Sequence, residues 1–198
     1  MRLWKMALLL SAVVGTSSTS VFAGLLPTTS TSTYDAGTNS YSYTYGVVLT
    51  SESTVQKGDY FTVYDFAGYT GSASAPAGWT LTMSNTGTTP SGISVTDSSS
   101  TVNLTWTYTG DTTLQGATGQ SYDVGTFSAS SSDSAGTTSF AGQSHLANGQ
   151  SDNNVTTTTG PTDSSTPQTP EPATLILLGL ALPFVGAKRW MARRNAEN

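Results

Sequence analysis

The segment Val102-Asn103-Leu104-Thr105-Trp106-Thr107-Tyr108-Thr109 alternates large apolar and small polar side chains without a break. Successive side chains of a strand point to opposite faces. A period of two therefore puts Val102, Leu104, Trp106 and Tyr108 on one face, with the asparagine and threonines on the other. Trp79-Thr80-Leu81-Thr82-Met83-Ser84 repeats the pattern. Further strands are expected at 41–50, 60–66, 92–96, 122–129 and 137–144. Turn formers separate them at Lys57-Gly58-Asp59, Ala75-Pro76-Ala77-Gly78, Thr89-Pro90-Ser91-Gly92 and Gly110-Asp111. Nothing between residues 41 and 146 places apolar residues at the i, i+3, i+4, i+7 spacing of a helix. About seven short strands, each with one polar face, predict an all-β domain over 41–146. An antiparallel β-sandwich fits best, and a small barrel is the alternative.

The flanks differ in composition. Residues 24–40 are Ser/Thr-rich and offer little to bury, which predicts a flexible lead-in. Residues 147–169, with Thr156-Thr157-Thr158-Thr159, Pro161 and Pro167, read as a Ser/Thr/Pro-rich stalk. Ahead of both lies an export signal, residues 1–23. Arg2 and Lys5 give a positive start, Met6 to Val14 an apolar run, and Val21-Phe22-Ala23 a small-residue cleavage site. Signal peptidase is expected to cut after Ala23, leaving Gly24 as the first residue of the mature chain.

The other end is built in three parts. Pro170-Glu171-Pro172 opens it, an apolar run from Ala173 to Ala187 follows, and Lys188, Arg189, Arg193 and Arg194 close it. Two prolines keep the tripeptide extended. With Trp190 and Met191 at the interface, the apolar run is expected to form a transmembrane helix over about 173–191, short against the roughly 20 residues that span comfortably. Pro183 should kink it, and the four cations hold the end on the cytoplasmic side. This order, over residues 169–194, resembles the PEP-CTERM sorting domain of bacterial exosortase substrates, with the signal itself at 170–194. The resemblance implies export across the inner membrane of a Gram-negative bacterium and a transient membrane anchor. It further implies processing by an exosortase near Pro170-Glu171-Pro172, then release to the cell surface or the medium. A role in the envelope, extracellular matrix or biofilm, beside exopolysaccharide, is implied in the same way. A plain anchor that is never cut is the alternative.

Charge and cysteine content narrow the rest. The chain holds 12 acids and 7 bases. Setting aside Arg2, Lys5, Lys188, Arg189, Arg193 and Arg194, with Glu171 and Glu197, leaves ten acids against Lys57 alone, a net charge of −9. Such a domain cannot build the cationic surface that phosphate backbones require, so nucleic acid and anionic membrane surfaces are excluded as its partners. The absence of cysteine excludes disulfides, thiol nucleophiles and cysteine-ligated zinc.

No catalytic constellation emerges, and no enzyme activity is expected. His145 is the single histidine, and no G-x-S-x-G elbow accompanies it. Asp59 and Asp65 bracket a strand, so they stand about 20 Å apart and cannot act as a glycosidase pair. Asp111-Thr112-Thr113 and Asp133-Ser134-Ala135 lack the glycine of aspartic proteases. No cofactor is expected and no metal-ligand spacing is present. Asn148, Gly149, Asp152, Asn153, Asn154 and Asp97 supply oxygen atoms for calcium, in neither an EF-hand nor a nonapeptide pattern. Asn103-Leu104-Thr105 and Asn154-Val155-Thr156 match the N-glycosylation pattern. Tyr41, Tyr43 and Tyr45 recur at period two on an expected edge strand. They read either as core opposite Trp79 and Trp106, or as a flat aromatic platform for carbohydrate or matrix.

Overall fold

The computed structural model describes residues 24–163. They form eleven strands: β1 (Leu25–Asp35), β2 (Ser40–Leu49), β3 (Ser53–Val55), β4 (Tyr60–Val63), β5 (Tyr69–Ser74), β6 (Trp79–Ser84), β7 (Asn103–Tyr108), β8 (Leu114–Gln115), β9 (Tyr122–Ser131), β10 (Ala135–Leu146) and β11 (Ser151–Pro161). No helix occurs among the described residues. One sheet has the order β1-β2-β9-β5. The other runs β6-β7-β4-β10-β3-β8, with β11 on the far edge of β10. Every pairing is antiparallel.

The two sheets pack face to face, the arrangement of a sandwich. Phe61 of β4 stands at the centre. Its ring lies 5.2 Å from Trp106 and 5.1 Å from Phe140 in its own sheet, and 4.8 Å from Phe127 across the gap. Leu104, Trp106 and Tyr108 all point into this core, as their alternation predicts. Their threonine neighbours do not all face solvent. Thr105 is buried, its hydroxyl 2.9 Å from that of Thr62, and Thr62 donates to the Thr88 carbonyl at 2.9 Å. The connection between β6 and β7 thus lies across the outer face of β4 and β7.

Three expectations are corrected. Residues 24–40 are no flexible lead-in: β1 occupies most of them, paired with β2 from Leu25↔Leu49 to Asp35↔Ser40. Of the stalk expected at 147–169, residues 147–163 are instead a hairpin turn followed by β11, paired along β10 from Ala135↔Pro161 to His145↔Ser151, and 164–169 lie outside the described residues. Threonine favours extended backbone even where it buries little, which is why both polar segments take strand form. The domain therefore includes 24–40 and 147–163 besides 41–146. Conversely, residues 92–96 form no strand; Gly92 sits at φ 77, in a turn that includes Pro90.

The terminal strands join the two sheets along one side. Asn154 Nδ2 donates to the Leu25 carbonyl at 2.7 Å, and the Thr159 amide donates to Ser30 Oγ at 3.1 Å. β1 and β11 therefore run side by side in the same direction. The start of the domain and its exit toward the C-terminal segment lie at opposite ends of that pair.

Candidate functional site

The tyrosine row comes first. β2 is not an edge strand, because β1 and β9 flank it. Its alternation turns Tyr43, Tyr45, Val47 and Leu49 inward, and all four are fully buried. Tyr43 packs edge-on against Phe66 at 5.4 Å, and Tyr45 lies 6.3 Å from Trp106. Tyr41 is half-buried against Tyr34, ring centres 5.0 Å apart. Tyr43 and Tyr45 have no face to offer a sugar, so the platform of Tyr41, Tyr43 and Tyr45 is not formed. Burial pushes the Tyr43 phenol up to about 12, with Tyr41 and Asp133 adding to it. Burial raises Tyr45 as well, with Tyr43 adding to it.

His145 is not an isolated edge histidine. Its Nδ1 lies 3.0 and 3.1 Å from the two oxygens of Asp59, which is 1 % exposed and also accepts the Gln56 amide at 2.9 Å. This ties the end of β10 to the turn before β4. The two residues are 86 positions apart, and nothing local in the sequence announces the pair. No serine or threonine hydroxyl is bonded to the His145 ring among the described residues. The constellation is a histidine–carboxylate contact without a nucleophile.

The acidic side chains are mostly occupied by backbone. Asp97 accepts the Gly87 amide and Asn103 Nδ2, each at 2.8 Å. Asp65 accepts the Ser98 amide at 2.9 Å. Burial nonetheless holds its carboxyl above the usual range, opposed by that amide and assisted by Asp97. The residues considered for calcium do not converge. Asn148 closes the β10–β11 hairpin on Gln150, Asn153 donates to the Ser91 carbonyl, and Asp152 turns inward to the Gly24 amide and Ser53. No group of three acidic, histidine or cysteine side chains is placed to hold a metal among the described residues. Asn103 and Asn154, the two N-glycosylation candidates, are buried.

A groove of about 530 Å³ opens near the exit of β11, lined by Asp65, Ser98, Thr138, Thr157 and Asp163 among others. Its walls are mainly serine and threonine side chains, with two carboxylates, Ala67 and Pro161 and no aromatic ring, so it lacks a stacking surface for a pyranose.

The sorting determinants Pro170, Glu171 and Pro172, the cations Lys188, Arg189, Arg193 and Arg194, and the signal-peptidase site at Ala23 lie outside the described residues. So do the membrane helix expected over 173–191 and the signal peptide. Residues 168–195 match the PEP-CTERM protein-sorting motif. That motif directs export, processing by an exosortase and sorting to the cell surface. A search of curated proteins found no match to this chain.

Proposed function

From the PEP-CTERM sorting motif at 168–195, we propose that this chain is an exported, surface-sorted and non-catalytic protein of the cell envelope, extracellular matrix or biofilm. An exosortase cuts it near Pro170-Glu171-Pro172, after a transient stay in the membrane. The motif carries the reading, and the fold is consistent with it. The start of the domain and its exit lie at opposite ends of the β1–β11 pair, so signal peptidase and exosortase meet the chain at separate places. The outer surface is rich in hydroxyls and the domain is strongly acidic, which favours solubility outside the cell.

Intact-mass measurement of protein from a host with an exosortase tests this. The mature chain should lack the apolar run after Pro172, and Glu171→Ala should leave the longer form in the membrane fraction. Native surface protein that still carries Ala173 to Asn198 would overturn the reading.

A further inference from the structure

Gly24 is the residue that signal peptidase is expected to expose, and its nitrogen is buried in the folded domain. That nitrogen lies 2.9 Å from Asp152 Oδ2. The carboxylate is 2 % exposed, and Ser53 Oγ donates to the same oxygen at 2.6 Å. Its other oxygen, Oδ1, is buried without a hydrogen-bond partner. A buried carboxylate with one orphaned oxygen is costly unless a cation stands beside it. Among the described residues no side chain can serve. Lys57 is on the surface, paired with Asp111 at 2.8 Å, and His145 is held by Asp59.

We propose that removal of the signal peptide completes this fold, because the freed α-ammonium of Gly24 forms a buried ion pair with Asp152. Hydrolysis of the Ala23–Gly24 amide consumes one water and gives the Ala23 carboxylate and the Gly24 amine, which takes a proton from solvent. One amide N–H becomes three donors carrying a unit charge, enough to serve Oδ2 and the orphaned Oδ1 together. The inference rests on the export reading, which supplies the cut.

The surroundings suit a chain terminus that carries no side chain. A Cβ on residue 24 would overlap the Ser144 hydroxyl. The Gly24 carbonyl accepts the Thr50 amide at 3.0 Å, and Leu25 beside it is fully buried with its carbonyl bonded to Asn154. A Gly24 nitrogen enclosed in this way is out of reach of a peptidase once the domain has folded, so cleavage comes first and docking second. Asp152 lies 128 residues from Gly24. The pair therefore ties the newly made start of the chain to β11 through a charged contact, where the precursor offers a single neutral amide.

The test uses the full chain, exported with its own signal peptide from a Gram-negative host. Terminal sequencing and intact mass should place the first residue at Gly24. The folded protein is then treated with an acylating N-hydroxysuccinimide ester at neutral pH, and the labelled amines are mapped. An unprotected α-amine, with a pKa of about 7.7–8.0 against about 10.4 for lysine, is the faster target. In the folded protein Gly24 should instead label at least about tenfold more slowly than in the same protein unfolded in urea, while Lys57 labels freely. Asp152→Asn, which keeps the shape and an acceptor but removes the charge, should abolish the protection of Gly24 and leave Lys57 unchanged. Equal labelling of Gly24 in folded and unfolded wild-type protein would overturn the ion pair, even if the variant does not fold. Protection that survives Asp152→Asn would overturn it as well. A first residue other than Gly24 would defeat the expected cut itself, and the sequencing step identifies that outcome separately.

Discussion

Tyr43 and Tyr45 sit two positions apart on β2 and their hydroxyls meet different fates. Tyr43 donates to the Asp133 carbonyl at 2.8 Å, while the buried Tyr45 hydroxyl has no partner. An unsatisfied buried donor costs free energy that a plain phenyl ring avoids. Tyr45→Phe should therefore be neutral or stabilise by up to about 1 kcal/mol, and Tyr43→Phe should cost about 1 kcal/mol, measured by urea melts. Asp65 offers a pH-dependent test. Its φ of 46° is left-handed, a region asparagine tolerates, and its raised carboxyl binds a proton more readily folded than unfolded. For an acid of that sign, stability falls as pH rises from the unfolded pKa, about 3.9, through the higher folded value. Asp65→Asn keeps an acceptor for the Ser98 amide and removes the charge. It should raise the melting temperature at pH 7, and the gain should shrink on acidification below about pH 4. A constant gain across that range would assign the effect to backbone preference instead.

At the scale of elements, alternation was readable wherever one face meets the core. β2, β6 and β7 carry that pattern plainly, and most of their inward residues are the ones the period of two selects. On β7, Trp106→Ala should cost about 3–5 kcal/mol, and Thr107→Ala under about 1 kcal/mol, by denaturant titration. Similar losses at both positions would contradict the inward face described for this strand. β9 shows where a simple period fails. Val124 and Phe127 are three apart yet both buried, because a bulge at Gly125, φ 121, shifts the register against Val47 and Val48. β1 and β11 left no apolar alternation to read, since apart from Leu25 they contribute mainly hydroxyls and backbone pairing. The apolar residues Ile93 and Val95 gave the opposite error: they alternate, yet Gly92 to Thr96 pairs with no strand. Of the candidate site, the C-terminal sorting motif was legible because it is one contiguous stretch of sequence. Asp59–His145 and Gly24–Asp152 were not, because only the fold brings together residues 86 and 128 apart.

For the whole molecule, closure depends on its two ends. β1 covers the free edge of β2, seals the core with Leu25, and meets β11 through Asn154 and Ser30. Removing it would leave the central strand of a core-facing row as an open edge, an invitation to pair with another chain. Removing β11 would strip the β10 backbone along residues 135–145 and expose the side of the sandwich where the two sheets meet. A fragment of residues 41–146 retains the aromatic cluster around Phe61 and nearly all of the alternating strands, so on hydrophobic content alone it would be expected to fold. The pairing described here predicts otherwise. Residues 24–163 should melt in one cooperative transition followed by near-ultraviolet circular dichroism of the buried tryptophans, and residues 41–146 should lose that transition and associate through the exposed edges of β2 and β10. A cooperative, monomeric 41–146 would show that the terminal strands decorate a core complete without them. Its failure beside a well-folded 24–163 would place completion of the fold in contacts that form only once the chain's two ends have met.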